Sequence, residues 1–150
     1  SHPLNFQPVR KSPGRSTRVV DPTPESFRAL SHNVPAGIPV VMLNLLRYRQ
    51  AAVYPVGSPH EACSGREAYA RYTAHALRAL TAAGGEVVFH GSALAHPIAP
   101  PDERWDEILL VAYPSVGAFL KMAMAPDYQA QSVHRTAALE DARLVCVRRD

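Results

Sequence analysis

No stretch of the 150-residue chain approaches the ~20 consecutive apolar residues that a membrane-crossing helix needs. There is no apolar signal core either, because residues 1–24 are polar, basic and rich in proline. These absences predict a cytoplasmic protein with no membrane partner. Cysteine is scarce: Cys63 and Cys146 are the two present, in no CxxC or Cys/His spacing. That excludes a disulfide scaffold and a zinc knuckle, and predicts two free thiols in a reducing compartment. A glycine-rich phosphate loop, a dinucleotide fingerprint and a nucleophile elbow are all missing, so nothing asks for a cofactor. The 7 histidines are scattered without a local His/His/carboxylate set, so no metal site is expected.

Charge is nearly balanced. The net value is +3, and much of the excess sits in Arg10, Lys11, Arg15 and Arg18. Such an arm reads either as a solvated tail or strap over a neighbouring subunit, or as a contact for an anionic partner. The rest of the chain interleaves no arginines with aromatics, which argues against a nucleic-acid partner. What remains is ordinary globular composition, 47% hydrophobic and 19% charged, at a length suited to one core.

The pattern along the chain divides into an extension, residues 1–38, and a domain, residues 39–150. Pro3, Pro8, Pro13 and Pro22 keep the leader from forming helix or central strand. Thr23 and Pro24 then cap and open a short helix ending near Asn33. Residues 39–49 form a near-continuous apolar strand in which Met42, Asn44 and Leu46 share one face. A loop over residues 50–64 has the length of an insertion able to cover a cavity or a subunit edge. Ser64, with Glu67 as capping-box partner, opens a helix that stops at Gly84-Gly85, with Tyr69, Tyr72, Ala76, Leu80 and Ala83 along one stripe. Residues 86–96 alternate as a strand, with Val88, His90 and Ser92 facing one way and Val87 and Phe89 the other. Residues 104–113 form its hairpin partner, Ser115 caps the next helix, Pro126 breaks it, and residues 128–139 continue as helix. Residues 142–149 alternate as a last strand.

Strand–helix–strand–strand–helix–strand is the split βαβ, or ferredoxin-like, arrangement of the α+β class, with a four-stranded antiparallel sheet. Helices cover one face of such a sheet. The other, read here as Met42, Leu46, Ile108 or Leu109, and Val145, is apolar and needs a cover. A second copy around a twofold axis supplies the simplest one, giving a homodimer.

Residues 39–49, PVVMLNLLRYR, residues 65–91, GREAYARYTAHALRALTAAGGEVVFHG, and the run RWDEILLVAYPSVGAFLKMAMAPDYQAQSVHRTAALEDARLV over 104–145 together resemble the family called domain of unknown function 1330. The resemblance spans about residues 39–145. It implies the dimeric α+β barrel fold and no activity, because barrels of this type host cofactor-free oxygenases, isomerases and cyclases as well as plain binding proteins.

Each candidate residue carries two readings. Asn44 and Tyr72 either orient a ligand carbonyl or hydroxyl, or satisfy the core. His90 is a general base if its face looks into the barrel and surface if it looks out. Asp106 either holds a histidine or water or pairs with an arginine, and Trp105 beside it can wall a pocket. His134 is a second proton carrier; Arg135 either grips a substrate carboxylate or fixes the helix end, and Arg47 has the same ambiguity. On the enzyme reading, His134 or His90 with Asp106 moves a proton while Arg135 and Asn44 anchor oxygen atoms of a small carbonyl- or carboxylate-bearing molecule. On the alternative, the same residues serve a non-catalytic ligand-binding or structural dimer.

Overall fold

The computed structural model describes residues 18–150. Pro3, Pro8, Arg10, Lys11, Pro13 and Arg15 of the basic leader lie outside the described residues. The elements follow in the order α1 (Pro24–Asn33), β1 (Val40–Tyr48), α2 (Gly65–Ala82), β2 (Glu86–Ser92), β3 (Glu107–Tyr113), α3 (Val116–Ala123), α4 (Pro126–Ala138) and β4 (Leu139–Val147). The strands form one antiparallel sheet in the order β2-β3-β1-β4, the ferredoxin-like arrangement.

Local chemistry sets the helix ends. The side chains of Thr23, Ser64 and Ser115 each accept from the amide three residues on. At α1 the box closes through Ser26, whose hydroxyl accepts from Thr23 N at 2.9 Å. Gly84 takes the left-handed conformation that ends α2, with φ 80°.

Two core clusters lie between the sheet and the helices. One gathers Val40, Met42, Val111 and Tyr113 under Leu80, Val116, Phe119 and Met122. The other gathers Leu46, Tyr48 and Ala142 under Ala68, Ala138 and Leu139. The shared face of Met42, Asn44 and Leu46 is therefore the helix-covered one, and Leu109 joins it opposite Asn44. This corrects the expectation that Met42 and Leu46 belong to the uncovered face; of the alternatives Ile108 and Leu109, Ile108 lies there. Because β1 is apolar on both sides, its periodicity pairs residues correctly without saying which side the helices take. The face with no helix holds Val41, Leu43, Leu45, Ile108, Leu110, Val145 and Val147.

One strand register and two sets of boundaries differ from expectation. A register shift between Val87 and Phe89 puts Val87 opposite Val111 and His90 opposite Leu109, so these two share a face despite odd spacing. The hairpin strands stop at Ser92 and start at Glu107, because the intervening chain is held by Trp105 N donating to His96 Nε2 at 3.0 Å and by Asp106 N donating to Leu46 O at 2.8 Å. β4 starts at Leu139, since Glu140 and Asp141 find strand-side partners: Arg47 Nε lies 3.3 Å from Glu140, and Val19 N donates to Asp141 Oδ1 at 3.1 Å.

Candidate functional site

A cavity of about 730 Å³ lies between the helix-covered face of the sheet and the helices. Met42, Leu80, Leu109, Val111, Phe119 and Met122 give it a mostly apolar wall, and Asn44, Tyr72, Tyr128 and Arg135 bring polar groups to it. Asn44 reaches this space because its parity on β1 matches that of Met42 and Leu46. Its Nδ2 donates, at long range, to Met42 O (3.4 Å) and Leu109 O (3.3 Å). Tyr72 comes from the buried stripe of α2 and hydrogen-bonds through its hydroxyl to the hydroxyl of Tyr128 in the first turn of α4. Their rings meet edge to face with centroids 5.9 Å apart, and Tyr69 lies 5.3 Å from Tyr72 on the other side. Burial pushes the phenols of Tyr69 and Tyr128 well above their ordinary range, and the nearby positive charge of Arg135 works against the shift without reversing it.

The extension forms part of the wall. Val19, Val20, Asp21 and Pro22 pass over Arg135, and Ser26, Phe27 and Leu30 of α1 continue the cover. Ala142 N donates to Val19 O at 2.8 Å, which pairs this strap with β4. Arg135 donates to Val20 O at 2.5 Å and lies 3.8 Å from the Asp21 carboxylate. Thr136 donates to the same carboxylate at 2.7 Å.

The sequence-predicted residues thus divide. Asn44, Tyr72 and Arg135 all line the cavity. His134 is buried on another side of α4, where its Nδ1 lies 2.8 Å from the Tyr54 hydroxyl and its ring is 4.5 Å from that of His60. Arg71 donates to the same hydroxyl at 3.1 Å, leaving the Tyr54 proton for a neutral His134 ring. Burial, His60 and Arg71 all push the His134 ionisation below its usual value. His90 is more than half exposed on β2 and pairs with Glu107 at 2.9 Å. Glu107 also accepts from Tyr48 at 2.9 Å and Arg66 at 2.9 Å. Burial pushes the Glu107 carboxyl up, but the bonds from His90 and Tyr48 and the charges of His90 and Arg66 together hold it below the ordinary carboxylate range. Asp106 accepts from Tyr48 N at 2.8 Å, Trp105 is buried with the Arg143 guanidinium 5.2 Å from its ring, and Arg47 faces Glu140. His90, Asp106 and His134 are not brought together. Among the described residues, no group of three or more His, Cys, Asp or Glu is placed to hold a metal ion.

Sequence reasoning did not single out Tyr128 or the strap over residues 19–22. Tyr128 meets Tyr72 across two helices, 56 positions away, where no spacing rule connects them.

Residues 58–149 match the model of the family described as Domain of unknown function (DUF1330). The crystal structure of RPA0582, a protein of unknown function from Rhodopseudomonas palustris, is 38% identical, with a TM-score of 0.81 over 89% of this chain and 98% of that one. The methylated RPA0582 protein gives 39% identity and a TM-score of 0.82, over 90% and 97%. Hydroxynitrile lyase from Passiflora edulis shares the fold alone, at 14% identity and a TM-score of 0.51 over 76% of this chain and 95% of that one. No curated protein matches the chain.

Proposed function

The chain belongs to the DUF1330 family, whose name assigns no activity, and we propose from the cavity itself that it binds a small, partly apolar metabolite bearing a carbonyl or carboxylate group. The observation that carries this reading is the cavity of about 730 Å³, with an apolar wall and a few convergent polar groups. Asn44 and Tyr72 serve as hydrogen-bonding groups for a ligand oxygen. Arg135 serves as the carboxylate anchor, once Val20 O and Asp21 give way. The reading is binding first. Isomerase, cyclase, lyase or oxygenase chemistry by acid and base needs a proton carrier beside the ligand, and His90, His134 and Asp106 stand elsewhere.

The functional unit in this proposal is a homodimer. The support is the uncovered sheet face, where Phe89 and Val145 are 52% and 50% exposed. A sheet with two apolar faces needs a second layer, and a twofold copy of itself provides one. Residues 39–150 then form the barrel domain and residues 1–38 its extension. Among the described residues no helix is long and apolar enough to cross a membrane. The two free thiols support a reducing, cytoplasmic setting.

Thermal denaturation of the purified protein with benzoate, phenylpyruvate, benzaldehyde and 3-methyl-2-oxobutanoate tests the binding reading. At least one compound is expected to raise Tm in a concentration-dependent way. Arg135→Gln should weaken the acids more than the aldehyde. No shift with any of the four at millimolar concentration refutes the reading.

A further inference from the structure

Resting on the binding reading above, we propose that the paired hydroxyls of Tyr72 and Tyr128 form a donor site that grips and polarises the carbonyl oxygen of the bound metabolite. A count of protons leads to this assignment. Two hydroxyls carry two protons, and the bond between them uses one. Neither hydroxyl has another hydrogen-bond partner among the described residues. One O–H is therefore left over in a cavity whose wall is mostly apolar. Tyr72 is buried and Tyr128 half-buried, so in a mostly apolar cavity this donor is met either by water or by a ligand that supplies the acceptor. The group that complements a free O–H is an oxygen with lone pairs, and an aldehyde or ketone carbonyl offers one in an otherwise apolar molecule.

The surroundings suit that task. Tyr72 stands on α2 and Tyr128 on α4, so packing of the two helices fixes the donor before a ligand arrives. A phenol is protonated at neutral pH, and burial pushes the Tyr128 ionisation further up, so the site presents a donor and not an anion. The Arg135 charge, close enough to be felt by Tyr128, favours the negative charge that gathers on a polarised carbonyl oxygen. Asn44, whose Nδ2 is already turned to Met42 O and Leu109 O, has its Oδ1 left to accept from a hydroxyl on the same ligand. A carboxylate would go to Arg135 instead, so carbonyl and carboxylate have separate seats.

A structural cross-link between α2 and α4 would use the same two tyrosines, and the test must tell the two apart. Acetophenone, 3-methyl-2-butanone and benzaldehyde, each labelled with carbon-13 at the carbonyl, are titrated into the full chain and into Tyr72→Phe, Tyr128→Phe and the double variant. Affinity is read by calorimetry and the carbonyl stretch by isotope-edited infrared difference spectra. In the wild type the bound stretch should lie below that in the double variant, and the double variant should bind about 3- to 10-fold more weakly. At least one single variant should keep the lowered stretch, because the surviving hydroxyl then has its own proton to give. A cross-link alone predicts instead that each single change lowers stability and that not even the double variant alters the stretch. Equal stretch and equal affinity in the wild type and double variant overturn the donor site and leave the binding reading standing. No saturable binding of any of the three probes to the wild type overturns both. Should the double variant fail to fold, wild-type protein labelled at tyrosine Cζ decides: the Tyr72 and Tyr128 resonances move on saturation with ketone, and unmoved resonances overturn the proposal.

Discussion

Replacing Gly65 by alanine should destabilise the protein, and replacing Gly117 should stabilise it, although both glycines lie in helices. Helix propensity alone favours alanine at either site by up to ~1 kcal/mol. Space decides otherwise at Gly65. A Cβ there would lie 2.1 Å from Arg49 O and 2.7 Å from Ala138 O, both backbone atoms, whereas real Cβ atoms essentially never come within 3.0 Å. The start of α2 would have to retreat by about 1 Å from the end of β1 and from the end of α4, a displacement in the range where overpacking costs ~1–3 kcal/mol. The hydrogen bonds that join these ends, Arg49 N to Ala138 O at 2.9 Å and Gly65 N to Gln50 O at 3.4 Å, would stretch with it. We expect a net loss of about 1–3 kcal/mol for Gly65→Ala. At Gly117 the nearest atom to an added Cβ is Ser115 Oγ at 3.7 Å, an ordinary contact, so about 0.5–1 kcal/mol should be gained. Urea denaturation at one fixed protein concentration reads both, as opposite shifts of the midpoint at constant slope. A Gly65→Ala midpoint at or above the wild type would refute the reasoning.

The remaining predictions concern the uncovered sheet face and His134. Leu43 lies at the centre of that face, opposite Leu110 and Val145, so Leu43→Glu should lower the mass measured by light scattering from twice 16.3 kDa to 16.3 kDa; an unchanged mass removes the sheet-to-sheet dimer. The folded state depresses the ionisation of His134 below 6.5, so its stabilisation is complete above that pH and is lost as pH falls through the lower folded value. Thermal midpoints should therefore decline on acidification below pH 6.5 less steeply in His134→Gln than in the wild type, and parallel declines would exclude this source.

The order of elements was legible because each carries its own punctuation: Thr23, Ser64 and Ser115 at helix starts, and Gly84 at a helix end. Which side of the sheet the helices take was not, since Val41, Leu43 and Leu45 are as apolar as Val40, Met42 and Leu46. The informative residue on β1 was Asn44, whose amide belongs with the cavity on the helix side. Asn44 stands out as an amide within an apolar strand, Tyr72 as a hydroxyl on the packed stripe of α2, and Arg135 as a cation late in a helix. The partners of His90 and His134 depend on a strand register and on the fold of the loop over residues 50–64, neither of which local pattern encodes. Tyr128 is invisible for a related reason: its meaning comes from Tyr72, and only the packing of two helices creates the pair.

The cover over the cavity also bears on how fast a ligand comes and goes. α1 has no buried residue, and its aromatic contact with the body is the edge of Phe27 against Phe119, 6.1 Å between ring centres. The strap beside it is fastened more firmly, by the Val19 pairing with β4 and the Arg135 bond to Val20 O. On the binding reading proposed above, opening is expected to start at α1 and to pivot on residues 19–21, because a local opening of weakly buried segments costs less than global unfolding. If that binding holds, residence time in the cavity becomes a property of this helix, adjustable by substitutions on α1 that never touch the proposed polar contacts.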